Sequence, residues 1–311
     1  MLGMESREAL DGLRAAAVAA GLNPSEIVLP AVRDVTANGL RLNYLDWGGS
    51  ARRTMVLLHG GALTAHTWDL VCLASRDEWR CVAPDLRGHG DSAWSHDGQY
   101  ALADYTSDLA ALADGAGLDR FVLVGMSLGG LVSMLYAAEH PRRVAALVLV
   151  DVGPEMSGPG AARLRNFTDA PAELESLEAF EERALRFNPR RRPELLRRSL
   201  LHNLRPTHDG KWTWKYDPRR SANIGSDPGR RPGVLWAAVA RVTCPTLVVR
   251  GSESDLFLDA DARRLLDALP RATYVCIEGA GHTVQGDQPA ALALAVREFL
   301  MAQDSIKHRA N

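Results

Sequence analysis

Gly125-Met126-Ser127-Leu128-Gly129-Gly130 stands directly after the apolar run Phe121-Val122-Leu123-Val124 and opens a helical stretch over 128–139. An apolar strand, a turn with glycine two residues either side of a serine, and then a helix make up a nucleophile elbow. Such a turn is tight enough that side chains at 125 and 129 would collide. The serine is forced into an unfavourable backbone conformation and its hydroxyl is pushed out of the sheet. A five-residue pattern recurs by chance, and a turn without chemistry can carry the same letters. Here the strand before and the helix after supply the context the motif requires.

Outward from the elbow the chain keeps one rhythm. The pattern predicts strands over 32–37, 40–47, 55–58, 80–83, 121–124, 146–150, 246–249 and 273–277, and helices over 67–74, 102–115, 128–139, 260–268 and 289–302. The later strands are short and almost wholly apolar, as central parallel strands covered on both faces must be. The first two alternate polar and apolar residues and read as an antiparallel lead-in. The expected class is α/β, a doubly wound and mostly parallel eight-stranded sheet with helices on both faces. Between Gly153 and about Ala240 the rhythm breaks into helix-rich sequence crowded with arginines from Arg183 to Arg198. An insertion there would lie over the carboxyl edge of the sheet, where such folds bind ligands. The division expected is a helical extension over 1–30, a core over 31–153 and 240–311, and a helical cap over 154–239. The extension is read as an amphipathic helix from Ser6, as N-cap, to Ala20, stopped by Gly21. It would pack on the core or on a second copy of the chain.

Composition narrows the classes. A formal charge of −2 and the absence of a recognition motif give no reason to expect nucleic acid. No apolar run approaches the ~18 residues of a membrane span. Glu5, Glu8 and Asp11 precede the apolar segment 13–20, where a signal peptide would carry positive charge. Cys72, Cys81, Cys244 and Cys276 lie far apart. Buried free thiols and a reducing, cytoplasmic compartment are the reading, with Cys81 and Cys276 in strand-like runs.

A serine hydroxyl is a poor nucleophile until a base takes its proton, and a third group must hold that base in one tautomer. His282, in Gly279-Ala280-Gly281-His282, follows the final strand, where a base is required. A surface-loop histidine would look the same. Asp255 follows the strand ending at Gly251 and is taken as the acid, with Asp151 and Asp259 as rivals at similar strand ends. Asp259 reads better as a helix N-cap. Asp151 could be a structural residue or a substitute acid. The oxyanion donors expected are the amides of Leu128 and Gly61, with Ala62 as second choice in the His59-Gly60-Gly61-Ala62 loop. His59, before two glycines, is read as shaping that loop. Trp212, Trp214 and Tyr216 alternate along one segment and would share a face. Trp212 and Trp214 are the candidate substrate contacts, unless they pack the cap. The arginine run could draw a carboxylate-bearing substrate, or could be a solvated helix face interleaved with Glu181, Glu182 and Glu194.

With these residues in place, and with Pro84-Asp85-Leu86-Arg87-Gly88-His89-Gly90-Asp91-Ser92, a loop motif of capped hydrolases, the chain resembles the α/β-hydrolase fold superfamily. The likeness covers roughly 31–153 and 236–311 and is similar to the enol-lactonase, aryl esterase and meta-cleavage-product hydrolase groups. It implies a nucleophile at Ser127, an acid at Asp255, a base at His282 and a helical lid. Relatives commonly place the acid three residues after the glycine, whereas Asp255 comes four after Gly251. Serine at the elbow disfavours epoxide-hydrolase and dehalogenase chemistry, which uses aspartate there. The expected reaction is cleavage of a small carboxylic ester or lactone through an acyl-enzyme. A C–C bond hydrolase, an acyltransferase and a non-catalytic receptor on the same fold stay open. No metal and no cofactor are expected, since no histidine or cysteine cluster has ligand spacing. The partners expected are the small substrate and a second copy of the chain, with neither nucleic acid nor membrane.

Overall fold

Alternation in the first two strands and continuous apolarity in the later ones lead to one mixed sheet. In the computed structural model, which describes residues 2–49, 53–168, 170–221 and 226–309, helix α1 (Leu2–Ala19) precedes β1 (Ala31–Ala37) and β2 (Leu40–Asp46). Then come β3 (Thr54–Leu58), α2 (Asp69–Ser75), β4 (Arg80–Pro84), α3 (Leu102–Gly115), β5 (Phe121–Met126), α4 (Leu128–Glu139) and β6 (Val144–Val150). An inserted segment holds α5 (Gly160–Thr168), β7 (Glu173–Leu174), α6 (Leu177–Phe187), α7 (Pro193–Asn203), β8 (Leu204–Pro206), β9 (Trp212–Trp214) and α8 (Pro232–Val239). The chain closes with β10 (Thr246–Gly251), α9 (Asp259–Ala268), β11 (Ala272–Ile277), α10 (Val284–Asp287) and α11 (Pro289–Arg309).

The main sheet has eight strands in the order β1-β2-β4-β3-β5-β6-β10-β11. Only the β1–β2 and β2–β4 pairs are antiparallel. The expected α/β class and the antiparallel lead-in are therefore what the chain folds into. Strands β3, β5, β6 and β10 are buried almost along their whole length. One face is covered by apolar residues of α3, α4, α8 and α9, such as Leu109, Leu135, Leu235 and Leu265. The other is covered by α1, α2 and α11 through Leu13, Val71, Leu292 and Phe299. Burying a side chain of this size is worth about 1.5–3 kcal/mol, and that burial fixes the strand ends in space.

Some local expectations change. Helix α1 begins at Leu2, so Ser6 lies inside it and is not its cap, while Gly21 at φ +71 does end it. Leu13, Ala16 and Ala17 are buried, which places this helix on the core. The inserted segment also contains a small antiparallel sheet, β7-β9-β8, that helical periodicity could not announce. Among the described residues all four cysteines are free, but Cys276 is exposed. It sits on edge strand β11, which is exposed or half-exposed along most of its length. No helix of the described residues is long and apolar enough to cross a membrane.

Candidate active site

Strand β5 ends at Met126, whose partner across the parallel ladder is Val150 of β6. The next residue on each strand therefore emerges at the same edge, one strand spacing (about 4.8 Å) apart. These residues are Ser127 and Asp151, and both carry positive φ, 50° and 51°. Non-glycine residues in such conformations cost on the order of 1–3 kcal/mol and persist only where surrounding packing imposes them. At the elbow the cause is visible: a Cβ on Gly125 would stand 2.4 Å from the Gly129 carbonyl. Helix α4 starts immediately beneath Ser127, whose carbonyl accepts from the Gly130 and Leu131 amides.

His282 reaches this edge from the far side of β10. The loop after β11 crosses the end of β10 so closely that a Cβ on Gly251 would lie 2.4 Å from the carbonyl oxygens of Ala280 and Gly281. The crossing brings His282 Nδ1 to 2.8 Å from Asp151 Oδ2. The carboxylate is wholly buried and the ring is 11% exposed. Asp151 accepts two more bonds, from the Gly251 amide at 3.0 Å and from Ser254 Oγ at 2.6 Å. Three donors converging on one buried carboxylate fix its orientation. With Nδ1–H donated to Asp151, the lone pair of the neutral ring is on Nε2.

Asp255 is not in this constellation, and its reading as the acid is corrected here. Its carboxylate points to the inserted segment, pairs with Arg163 Nη2 at 2.9 Å, and is 34% exposed. Adjacent residues of the turn face opposite ways. Ser254, three residues after Gly251, turns inward to Asp151 and leaves Asp255 turned outward. Asp259 is also elsewhere, in the first turn of α9 and bonded by Tyr274 Oη. That helix is capped by Asp261, whose carboxylate accepts the Leu258 amide.

The loop between β3 and Ala65 supplies the opposite wall. His59 is fully buried, accepts the Leu86 amide on Nε2 at 2.9 Å and donates from Nδ1 to the Gly60 carbonyl at 2.8 Å. Its role is to shape the loop, as its place before two glycines suggests, and burial pushes its pKa down. Asp85 anchors the same loop by accepting the Ala65 amide at 2.7 Å. A Cβ on Gly60 would lie 3.2 Å from the Ser127 Cβ, so this loop abuts the serine. Ala62 has φ 65°. Leu128, first residue of α4, presents one of the amides that a helix start leaves unpaired.

The inserted segment is tied down around this edge. Gly90 N donates to the Lys215 carbonyl at 2.7 Å, Asp217 N to the Gly88 carbonyl at 2.8 Å, and Tyr100 Oη to Asp217 at 2.5 Å. Near His282, Asp287 accepts the Gly281 amide at 2.9 Å and is held by Asn188 and Arg191 from the insertion. The arginine run is thus largely spent on protein contacts: Arg197 on Glu178 and Glu181, Arg198 on Asp69, and Arg183 over the rings of Phe167, Phe180 and Trp214. Trp212 and Trp214 do share a face, but protein fills it. Trp214 lies edge-on to Phe180 at 5.0 Å within the small core of the insertion, and Trp212 packs against that core. Their reading as substrate contacts is corrected accordingly.

One cluster that sequence spacing hides is His66, Asp69 and His202, whose ligand atoms gather within 4.8 Å. Asp69 is already neutralised by Arg198 at 2.6 Å, and the two imidazoles stack at 3.7 Å. Burial, with His66 beside it, pushes the His202 pKa down to about 3. The unfolded chain protonates such a ring near 6.5. His202 therefore contributes stability that is present above about pH 6.5 and is lost as pH falls toward 3. By pH 4.5 about 3 kcal/mol of it is lost. His202→Gln is expected to lose less melting temperature than the parent between pH 7 and 4.5. Parallel pH profiles of thermal unfolding would contradict this.

The profile of the Alpha/beta hydrolase family matches residues 55–296. Over 286 residues the chain is 38% identical to Esterase Rv0045c of Mycobacterium tuberculosis, spanning 88% of this chain and 90% of that protein. The crystal structure of that esterase superposes with a TM-score of 0.75 at 36% identity, covering 93% of this chain and 96% of the other. A 3-hydroxybutyrate-oligomer hydrolase of Cupriavidus necator is 29% identical over 86% of this chain and 96% of its own. By profile, fold and edge geometry together, the chain belongs to the alpha/beta hydrolase family.

Proposed function

We propose that the protein is a serine esterase acting on small carboxylic esters or lactones, with Ser127 as nucleophile, His282 as base and Asp151 as the acid that orients it. The observation carrying this reading is the 2.8 Å bond from His282 Nδ1 to a buried carboxylate that follows the strand next to the elbow. In the first step His282 Nε2 takes the Ser127 proton while Oγ attacks the carbonyl carbon. The amides of Leu128 and Gly61 receive the charge that develops on the carbonyl oxygen. The intermediate collapses as the imidazolium returns that proton to the departing alkoxide. Water then repeats the sequence on the acyl-serine and frees the acid. Asp151 keeps its charge throughout and stabilises the imidazolium. The inserted segment acts as the cap over this edge. The similarity to an esterase at 38% identity supports ester cleavage ahead of C–C cleavage or acyl transfer.

A fluorophosphonate tests the nucleophile directly. It should modify the protein once, at Ser127, by mass spectrometry of the digested chain, and block turnover of a short-chain 4-nitrophenyl ester in proportion to labelling. Labelling elsewhere, or full labelling with turnover intact, would sink the assignment.

A further inference from the structure

Arg220 lies on a short helical turn, Pro218–Ser221, in the inserted segment. Its side chain is 7% exposed, and its guanidinium lies 4.2 Å from the centre of the Tyr216 ring. Nη1 is 3.4 Å from where a Cβ on Gly61 would stand. Gly61 and Gly60 are consecutive, and Gly60 abuts Ser127, so the guanidinium borders the same loop as the serine.

Like Arg183, which lies over three aromatic rings of the insertion, Arg220 leaves Nε and Nη2 without a partner among the described residues; it differs in bordering the loop beside Ser127. Among the described residues no carboxylate pairs with it, whereas Arg87 has Asp108, Arg191 has Asp287, Arg219 has Asp217 and Arg230 has Asp227. Its Nε and Nη2 are buried and, among the described residues, without a hydrogen-bond partner. Those two nitrogens form the edge of the guanidinium that grips a carboxylate with two parallel bonds. The groups that feel its charge include His59, His89, Tyr105 and Arg230. An arginine kept unpaired in the interior is strongly destabilising unless something completes it, and here the guanidinium borders the loop beside Ser127 through Nη1.

We propose that Arg220 is an anion subsite which selects esters or lactones bearing a carboxylate a few bonds from the scissile carbonyl. The inference rests on Ser127 being the nucleophile, and it names the substrate class that this site prefers. The carboxylate would be clamped on Nε and Nη2 while Tyr216 keeps the guanidinium plane in place. Bidentate geometry makes lysine a poor replacement.

The test uses the full chain and pairs of methyl esters that differ only in a terminal carboxylate. Monomethyl succinate, glutarate and adipate are compared with methyl butanoate, pentanoate and hexanoate by pH-stat. The parent protein should favour at least one half-ester over its neutral match in kcat/KM. Arg220→Met, which keeps an apolar stem against Tyr216, should lower that preference at least thirtyfold, chiefly through KM, and Arg220→Lys should restore only part of it. A preference unchanged in Arg220→Met, or an equal fall for both members of a pair, would make Arg220 a packing residue and overturn the proposal. No turnover of any ester by the parent would instead overturn the esterase reading. Adipate binding by calorimetry to Ser127→Ala, with and without Arg220→Met, would then judge the subsite alone: loss of binding on the second change supports it, and equal binding overturns it.

Discussion

Ser127→Ala is expected to lower kcat for a short-chain ester by about 10⁶, and His282→Ala by about as much. The double variant should lose little beyond either single one. The reason is that an alcohol has almost no nucleophilicity without its base, and the imidazole has nothing to deprotonate without the alcohol. The two groups therefore act as one unit, and their losses do not add. Alanine at 127 keeps the positive φ that the elbow imposes, so the folded state should change little, and the melting temperatures of parent and variant should nearly coincide. Residual activity well above the uncatalysed rate is expected if, as proposed, the Leu128 and Gly61 amides stabilise the oxyanion, since they would still do so when water attacks. Steady-state turnover of 4-nitrophenyl butanoate by the four proteins decides the matter. Independent, multiplying losses would mean that the serine and the histidine do not work together.

The sheet and its elbow were legible because each rests on local pattern. Continuous apolar runs separated by helices can be buried only as central parallel strands. The pair Gly125/Gly129 marks a place where backbones pass too closely for a side chain, and at Gly60 a Cβ would meet the side chains of Met126 and Ser127. His282 was legible for a related reason, since the glycines at 279 and 281 announce a loop able to swing across a neighbouring strand. The acid was not. Chain order serine–acid–histidine holds equally for Asp151 and Asp255, and which acid faces inward depends on a turn of a few residues. Ser254 occupies the inward position there and hydrogen-bonds the acid from the neighbouring strand. Nothing in the letters Gly251-Ser252-Glu253-Ser254-Asp255 reports that orientation.

The insertion was opaque in detail. Alternation put Trp212 and Trp214 on one face correctly, but alternation cannot say whether protein or ligand covers the face. Arginine counts were misleading in the same way. The residues from Arg183 to Arg198 mostly hold the insertion together or tie it to the core, whereas the guanidinium that borders the loop beside Ser127 is Arg220, outside that run and with no mark in its neighbours. Only the tertiary arrangement separates a paired arginine from an unpaired one.

Asp151→Asn should cost about 10⁴ in kcat, while Asp255→Asn should stay within about threefold of the parent. An asparagine at 151 can still accept from the Gly251 amide through its single oxygen, while its NH₂, in the place of Oδ2, donates to Ser254 Oγ, so the fold around it is preserved. What changes is the partner offered to His282. An amide NH₂ facing the ring would favour the tautomer with its lone pair on Nδ1 and its proton on Nε2, leaving no acceptor for the serine proton. The negative charge that stabilises the imidazolium is lost as well. At 255 the same change removes only the ion pair to Arg163, a partly exposed contact worth about 0–1 kcal/mol. The pH profile separates a positioning loss from a folding loss. Asp151→Asn should regain rate as hydroxide supplies the missing base at high pH, with its thermal unfolding close to the parent's. If Asp255→Asn were the crippled variant and Asp151→Asn the active one, the acid would have to reach His282 through a rearranged turn, and the hydrogen bond from His282 to Asp151 would not be the catalytic one.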